Sequence, residues 1–291
     1  MAEAATPQPA LAALRAEALG GRLPPLVVAA ERVAATVMQG VHGRRRAGQG
    51  DAFWQFRPYL AGDATARIDW RQSAKSDRLF VRETEWEAAQ TVALWRESGP
   101  TMRWRGGPDR PDKRARAELL LLALASLLLR GGERVRLLGG ARRAFAGRGA
   151  LAATADALAR LEIPPADASL PRHARVVLFS DFLAPLPEIQ ASVAGLAARG
   201  ARGHLLQVLD PAEETLPYTG RVRFEGVQQA EQPLLLPRVE GVRVLYAERL
   251  AAHRAGLAAI AGAAGWSFAT HRTDAPPEAA LLALWQALAP G

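Results

Sequence analysis

Between residues 91 and 288, short apolar runs alternate with stretches of helical periodicity, and this alternation restricts the fold more than any other feature of the chain. Thr91–Arg96 (TVALWR), Arg175–Ser180 (RVVLFS), 204–209 and 266–270 read as strands. The first two are apolar without alternation, as expected of strands covered on both faces. Helical patterns at 112–130, 151–161, 186–199, 244–264 and Pro277–Leu288 fall between or after them. Asp112 suits the cap of the first, and Gly131-Gly132 its stop. Strands joined by helices place the chain in the α/β class, with a Rossmann-like, mostly parallel sheet and helices on both faces. A Gly139-Gly140-Ala141 turn between 134–138 and 142–145 predicts a hairpin, with 142–145 as an antiparallel edge. Two short β-like runs, 221–225 and 234–236, predict a second, protruding hairpin.

The N-terminal third reads differently. Val27, Ala30, Val33, Ala34 and Val37 recur at helical spacing, with Pro24-Pro25 at the start and Gly40 at the stop. Residues 1–40 are therefore expected to be a helical segment, 41–89 a β-rich block and 90–291 the α/β domain. Residues 51–104 hold Trp54, Trp70, Trp86, Trp95 and Trp104, five of the seven tryptophans. Arg57, Arg67, Arg71, Arg78 and Arg82 are interleaved with Asp63, Asp69, Asp77, Glu83 and Glu85. Rings mixed with opposite charges predict a folded polar network, in which Asp63 and Asp69 pair with arginines and Trp70 packs beneath.

Composition removes several functions. At 291 residues and 49% hydrophobic content the chain can bury a sizeable core. It has no cysteine, which excludes disulfides, thiolate metal sites and a cysteine nucleophile, and fits a reducing compartment. The longest apolar run, 119–129, is too short to span a bilayer, and no basic start precedes an apolar core at the N-terminus. A cytoplasmic protein without a membrane span is expected. The net charge of +8 comes from arginine, since Lys75 and Lys113 are the only lysines. Basic residues are dense at 44–46 and between 96 and 116, which leaves an anionic-ligand or nucleic-acid binder as an alternative; interspersed acids and the lack of a recognition module count against nucleic acid. The histidines His42, His173, His204, His253 and His271 show no metal-ligand spacing. Gly147-Arg148-Gly149-Ala150-Leu151-Ala152 mimics a dinucleotide fingerprint, with Asp167 at the distance of its acidic residue, but it falls late in the sheet and NAD is not expected.

The junction Trp95-Arg96-Glu97-Ser98-Gly99-Pro100-Thr101-Met102 carries the sharpest chemistry. A carboxylate at a strand end, with hydroxyls two and four residues on, sets three oxygens around a hard cation such as Mg²⁺. Asp181, at the end of another apolar strand, offers a fourth. Here position 97 is Glu, position 99 is Gly, and only Thr101 brings a hydroxyl.

The chain resembles the bacterial domain of unknown function 58 family. The resemblance is carried by GQGDAFWQFRPYLAGDATARIDWRQSAKSDRLFVRETEWE, by TVALWRESGPTM and by VVLFSDFLAP. Within the first segment Arg57, Tyr59, Gly62, Asp63, Arg67, Asp69 and Trp70 form the family signature, read here as structural. The resemblance implies a von Willebrand factor A-like domain bearing a metal-ion-dependent adhesion site of pattern Asp-x-Ser-x-Ser. Glu97-Ser98-Gly99-Pro100-Thr101 departs from that pattern at all three ligand positions, and Arg148-Gly149-Ala150 lacks the further hydroxyl the family places before the next helix, Thr154 lying a turn inside it. The site is thus expected to be degenerate, with Glu97, Thr101 and Asp181 as its remnants, Mg²⁺ not retained and no other cofactor. A guanidinium from Arg96, Arg103 or Arg105 is expected to neutralise the two carboxylates. The resemblance also implies partnership with a MoxR-type AAA+ ATPase and a protein client, hence an adaptor and no enzyme. Its expected contact face is 97–105 with 181–185, presenting Arg96, Arg103, Arg105 and Phe182. A hydrolase using Glu97 and Asp181 as acid and base is a further alternative.

Overall fold

The structure, a computed structural model, describes residues 25–41, 53–60, 65, 68–76, 78–84, 89–140, 143–161, 170, 174–226 and 232–288. In chain order its elements are α1 (Pro25–Val41), β1 (Phe53–Pro58), α2 (Trp70–Ser73), β2 (Phe80–Thr84), β3 (Thr91–Arg96), α3 (Lys113–Arg130), β4 (Arg134–Leu137), α4 (Leu151–Ala159), β5 (Arg175–Ser180), α5 (Leu186–Ala197), β6 (Arg202–Leu209), α6 (Pro211–Thr215), β7 (Val222–Phe224), β8 (Leu234–Leu236), α7 (Arg243–Ala263), β9 (Ser267–Arg272) and α8 (Pro277–Leu288). The chain forms two compact units, Met1–Gln39 with Gln90–Gly291, and Gly40–Ala89.

The larger unit is built on a five-stranded sheet of order β4-β3-β5-β6-β9. Every pairing in it is parallel, with Leu94 beside Val177, Leu178 beside Leu205, and Leu206 beside Ala269. From the second residue onward β3 and β5 are wholly buried, which explains their unbroken apolar sequences. Asp112 caps α3 by accepting from the Ala115 amide at 2.6 Å, and residues 120–129 of that helix are all buried. Helix α3 lies on β3, β4, β5 and β6 and touches α4 and α8, while α5 packs against α7, which lies on β9. The chain leaves β3 towards one edge of the sheet and β5 towards the other, so the carboxyl ends of these neighbours form a topological switch point.

Several sequence expectations are corrected by the structure. Of the antiparallel edge expected at 142–145, Arg142 lies outside the described residues, and the described residues 143–145 make a single antiparallel bridge, in which Phe145 and Val135 exchange both backbone hydrogen bonds (2.7 and 2.9 Å). The run at 134–138 ends its strand at Leu137. The second hairpin is present, β7 pairing with β8 from Val222–Leu236 to Phe224–Leu234. Helix α1 buries Val27, Ala30, Val33, Ala34 and Val37, and it continues through Gly40 to Val41.

One close approach locks β6 to β9. A Cβ added to Gly203 would stand 2.5 Å from Cε3 and 2.6 Å from Cδ2 of Trp266. That ring is buried and pinned by its Nε1–H donating to the Ala201 carbonyl at 2.9 Å. Gly203→Ala is therefore expected to cost about 1–3 kcal/mol through overpacking. Denaturant unfolding checks this, and a Gly203→Ala/Trp266→Leu variant should cost less than the sum of its parts.

In the smaller unit β1 and β2 pair antiparallel, Phe56 opposite Arg82 and Pro58 opposite Phe80. Asp69 caps the short α2, its carboxylate accepting from the Gln72 amide at 2.9 Å. Ser73 Oγ donates to the Asp69 carbonyl (2.8 Å) and accepts from the Phe80 amide (2.9 Å), and the Asp69 amide donates to the Phe80 carbonyl (2.9 Å), so the helix is tied to β2; the Tyr59 amide donates to the Leu79 carbonyl (2.8 Å). Trp70 does not pack beneath the network: it is 65% exposed, whereas Ser73 is the buried residue of that turn. Gly62, Asp63 and Arg67 lie outside the described residues, as does the side chain of Arg57.

Candidate polar site at the sheet switch point

The carboxyl ends of β3, β5 and β6 and the first turn of α3 bring Glu97, Ser180, Asp181, Glu213 and Lys113 together. Parallel strands in register place Arg96 beside Phe179, so Glu97 and Ser180 emerge side by side. Ser180 Oγ donates to Glu97 Oε2 and accepts from the Phe182 amide at 2.8 Å. Asp181, 1% exposed, accepts from Lys113 Nζ at 2.9 Å through Oδ2 and from the Leu183 amide at 3.2 Å through Oδ1. Lys113 Nζ donates a second time, to Glu213 Oε1 at 2.5 Å. Glu213 is carried by α6, whose capping box joins the Asp210 carboxylate to the Ala212 amide (2.8 Å) and Glu213 Oε2 to the Asp210 amide (2.9 Å). Lys113 itself is 0% exposed.

Burial pushes the Glu97 carboxyl above the ordinary glutamate range; the nearby Asp181 charge adds to this, while the Ser180 hydrogen bond and the Lys113 charge oppose it. Burial also raises Glu213, against the opposing pull of Lys113. Beneath the cluster, Gln207 donates to the Asp181 carbonyl at 2.9 Å and accepts from Arg254 Nε and Thr270 Oγ1, each at 3.2 Å. Arg254 pairs with Glu214. Phe182 has φ +49°, a left-handed conformation that phenylalanine rarely adopts, and its carbonyl is held by His253 Nε2 at 2.6 Å.

Glu97 and Asp181 thus share one site, as their positions at strand ends predict. Thr101 lies on a 3₁₀ turn, Pro100–Arg103, half-buried. The neutralising group is an ammonium and not a guanidinium. Arg96 is buried and turned towards Glu118 (2.8 Å) and the Leu158 carbonyl (3.1 Å), so it neither meets the carboxylates nor offers itself to a partner. Phe182 is likewise buried, 6% exposed, and the neighbouring Leu183 takes the surface at 45%. Arg103 and Arg105 are exposed, as expected. Thr154 spends its hydroxyl on the Ala150 carbonyl at 2.8 Å.

The residues present do not fit a hard divalent cation. Such an ion demands near-octahedral oxygen ligation. Asp181 Oδ2 already binds an ammonium, Glu97 Oε2 binds a hydroxyl proton, and position 99 has no side-chain oxygen. Among the described residues no group of three or more histidine or carboxylate side chains is arranged to hold a metal.

Sequence reasoning missed Lys113, Glu213, Ser180 and Gln207. Two signals for them were present. Lys113 is one of two lysines in a chain that otherwise uses arginine, and Asp210-Pro211-Ala212-Glu213 spells a capping box at a strand end.

An open parallel α/β sheet with a polar cluster at its switch point defines a Rossmann-like domain, and open sheets of this kind ordinarily bind ligands at the carboxyl ends of their strands. The chain matches the profile of the family described as "Protein of unknown function DUF58" over residues 55–256, and it belongs to that family. No curated protein and no solved structure matches the chain.

Proposed function

We propose that this protein is a non-enzymatic adaptor with a von Willebrand factor A-like domain, which works with a MoxR-type AAA+ ATPase on a protein client. The observation that carries the reading is the self-neutralised cluster. Asp181 and Glu213 are both committed to Lys113, and Glu97 to Ser180, so the carboxylates are engaged by the protein's own side chains and not presented to a substrate. What the same loops do present is Leu183, 45% exposed, with the exposed Arg103 and Arg105, a mixture suited to a protein surface carrying acidic groups. The ATPase partnership rests on the family resemblance. Among the described residues no helix is long and apolar enough to cross a membrane.

The experiment is a binding titration of the full chain against a purified MoxR-type ATPase, with ATP and with ADP. Saturable binding is expected, and Arg103→Glu/Arg105→Glu should weaken it about tenfold or more, as opposed charges at an interface rim do. No binding in either nucleotide state contradicts the proposal. Binding to an oligonucleotide that falls steeply with added salt would favour the anionic-ligand alternative.

A further inference from the structure

Three features of the switch-point cluster share one explanation. The first is the placement of Lys113. It stands at the first position of α3, where the positive end of the helix dipole disfavours a cation, and its side chain is 1% exposed. Lysine is almost never fully buried unless paired. It persists here because two carboxylates meet it, Asp181 at 2.9 Å and Glu213 at 2.5 Å. The second is a match between positions 97 and 99. A Cβ added to Gly99 would stand 3.0 Å from Glu97 Oε1, so the glutamate carboxyl lies in the space that a side chain at 99 would enter. The longer acid and the missing side chain fit each other. The third is Ser180, whose hydroxyl both donates to Glu97 and accepts from the Phe182 amide. Its one proton and one of its two lone pairs go to closing the cluster.

We infer that the ammonium of Lys113 is the resident cation of this site, tying Asp181 to Glu213 where a strand-end oxygen cluster would otherwise gather a divalent ion, and that the site is therefore closed to divalent metal. A tethered ammonium differs from an ion in three ways. A chelator cannot remove it. It takes hydrogen-bond distances of about 2.8 Å in place of the roughly 2.1 Å that Mg²⁺ requires, so two carboxylates suffice without an octahedron. Being fully buried, it cannot lend a coordination position to an acidic group on a partner, and any recognition by this face passes through exposed side chains. The inference concerns the isolated chain and stands or falls independently of the ATPase partnership.

Mn²⁺ is the probe, added alone to the full chain and followed by electron paramagnetic resonance of the free ion and by thermal unfolding. Wild type is expected to leave millimolar Mn²⁺ free, and its Tm is expected to be the same in EDTA and in Mn²⁺. Lys113→Met is expected to lower the Tm in EDTA by several degrees. Mn²⁺ bound by wild type and released by Asp181→Asn would overturn the inference, as would a Lys113→Met protein as stable as wild type. Should Lys113→Met fail to fold, the wild-type titration with its Asp181→Asn control decides alone.

Discussion

Lys113→Met is expected to destabilise the α/β unit by about 3–5 kcal/mol, the usual result of leaving a buried charge without its partner. Two carboxylates lose their counter-ion at once, since Lys113 Nζ bonds both Asp181 and Glu213. One effect works the other way. Removing a cation from the start of α3 relieves an unfavourable dipole interaction worth about 0.3–1 kcal/mol. The ion-pair loss is several times larger and wins. Neutralising all three groups, as Lys113→Met/Asp181→Asn/Glu213→Gln, should recover much of the loss, because an apolar or neutral replacement of a buried pair is often close to neutral. Denaturant unfolding of wild type, single and triple variants checks both statements.

The two buried histidines give the other large effect. His204 and His271 are each 4% exposed, and burial holds both imidazoles down at about 4. Arg116 adds to the depression at His271. Nε2 of each ring finds no hydrogen-bond partner among the described residues. An unfolded histidine takes up its proton near pH 6.5, so between about 6.5 and 4 the unfolded chain binds more protons than the native one. The contribution is therefore complete above pH 6.5 and is lost as the pH falls through that window, with a ceiling of about 3 kcal/mol for each residue. Glu97 and Glu213 act with the opposite sign. Their carboxyls are raised by burial, so the native state binds protons more readily and gains stability on acidification. The comparison that isolates the histidines is wild type against His204→Leu/His271→Leu. Between about pH 7.5 and pH 4 the double variant should lose roughly 3–6 kcal/mol less than wild type, measured by denaturant unfolding at each pH.

What the sequence made legible follows from how much of each signal is local. Thr91–Arg96, Arg175–Ser180 and Pro277–Leu288 have the bounds read from sequence, because strands buried on both faces leave an unbroken apolar run and the last helix starts at a proline. The five buried positions of α1 follow from helical spacing alone. The edge at 142–145 misled because its turn composition is that of a hairpin, while among its described residues, 143–145, only Phe145 bridges to its neighbour. Trp70 misled because a large ring is ordinarily buried, whereas at the start of a four-residue helix it faces out.

The site was legible by halves. A carboxylate at the end of a strand announces itself locally, and Glu97 and Asp181 were found that way. Their counter-ion comes from 68 residues away along the chain for Asp181, and 100 residues separate Lys113 from Glu213. No local pattern encodes such a triad. Of the arginines flanking Glu97, Arg96 turns to Glu118 on the adjacent helix, and Arg103 and Arg105 are exposed. A lysine at the first position of a helix breaks the local electrostatic rule, and such breaks mark sites where tertiary structure has imposed its own requirement.

The most direct measurement is a crystal structure of the full chain grown in Mn²⁺, with anomalous differences collected at the manganese edge. The account predicts no anomalous peak at the ends of β3 and β5, and continuous side-chain density placing Lys113 Nζ between Asp181 and Glu213. An anomalous peak bonded to Asp181, with Lys113 turned out of the cluster, would contradict it.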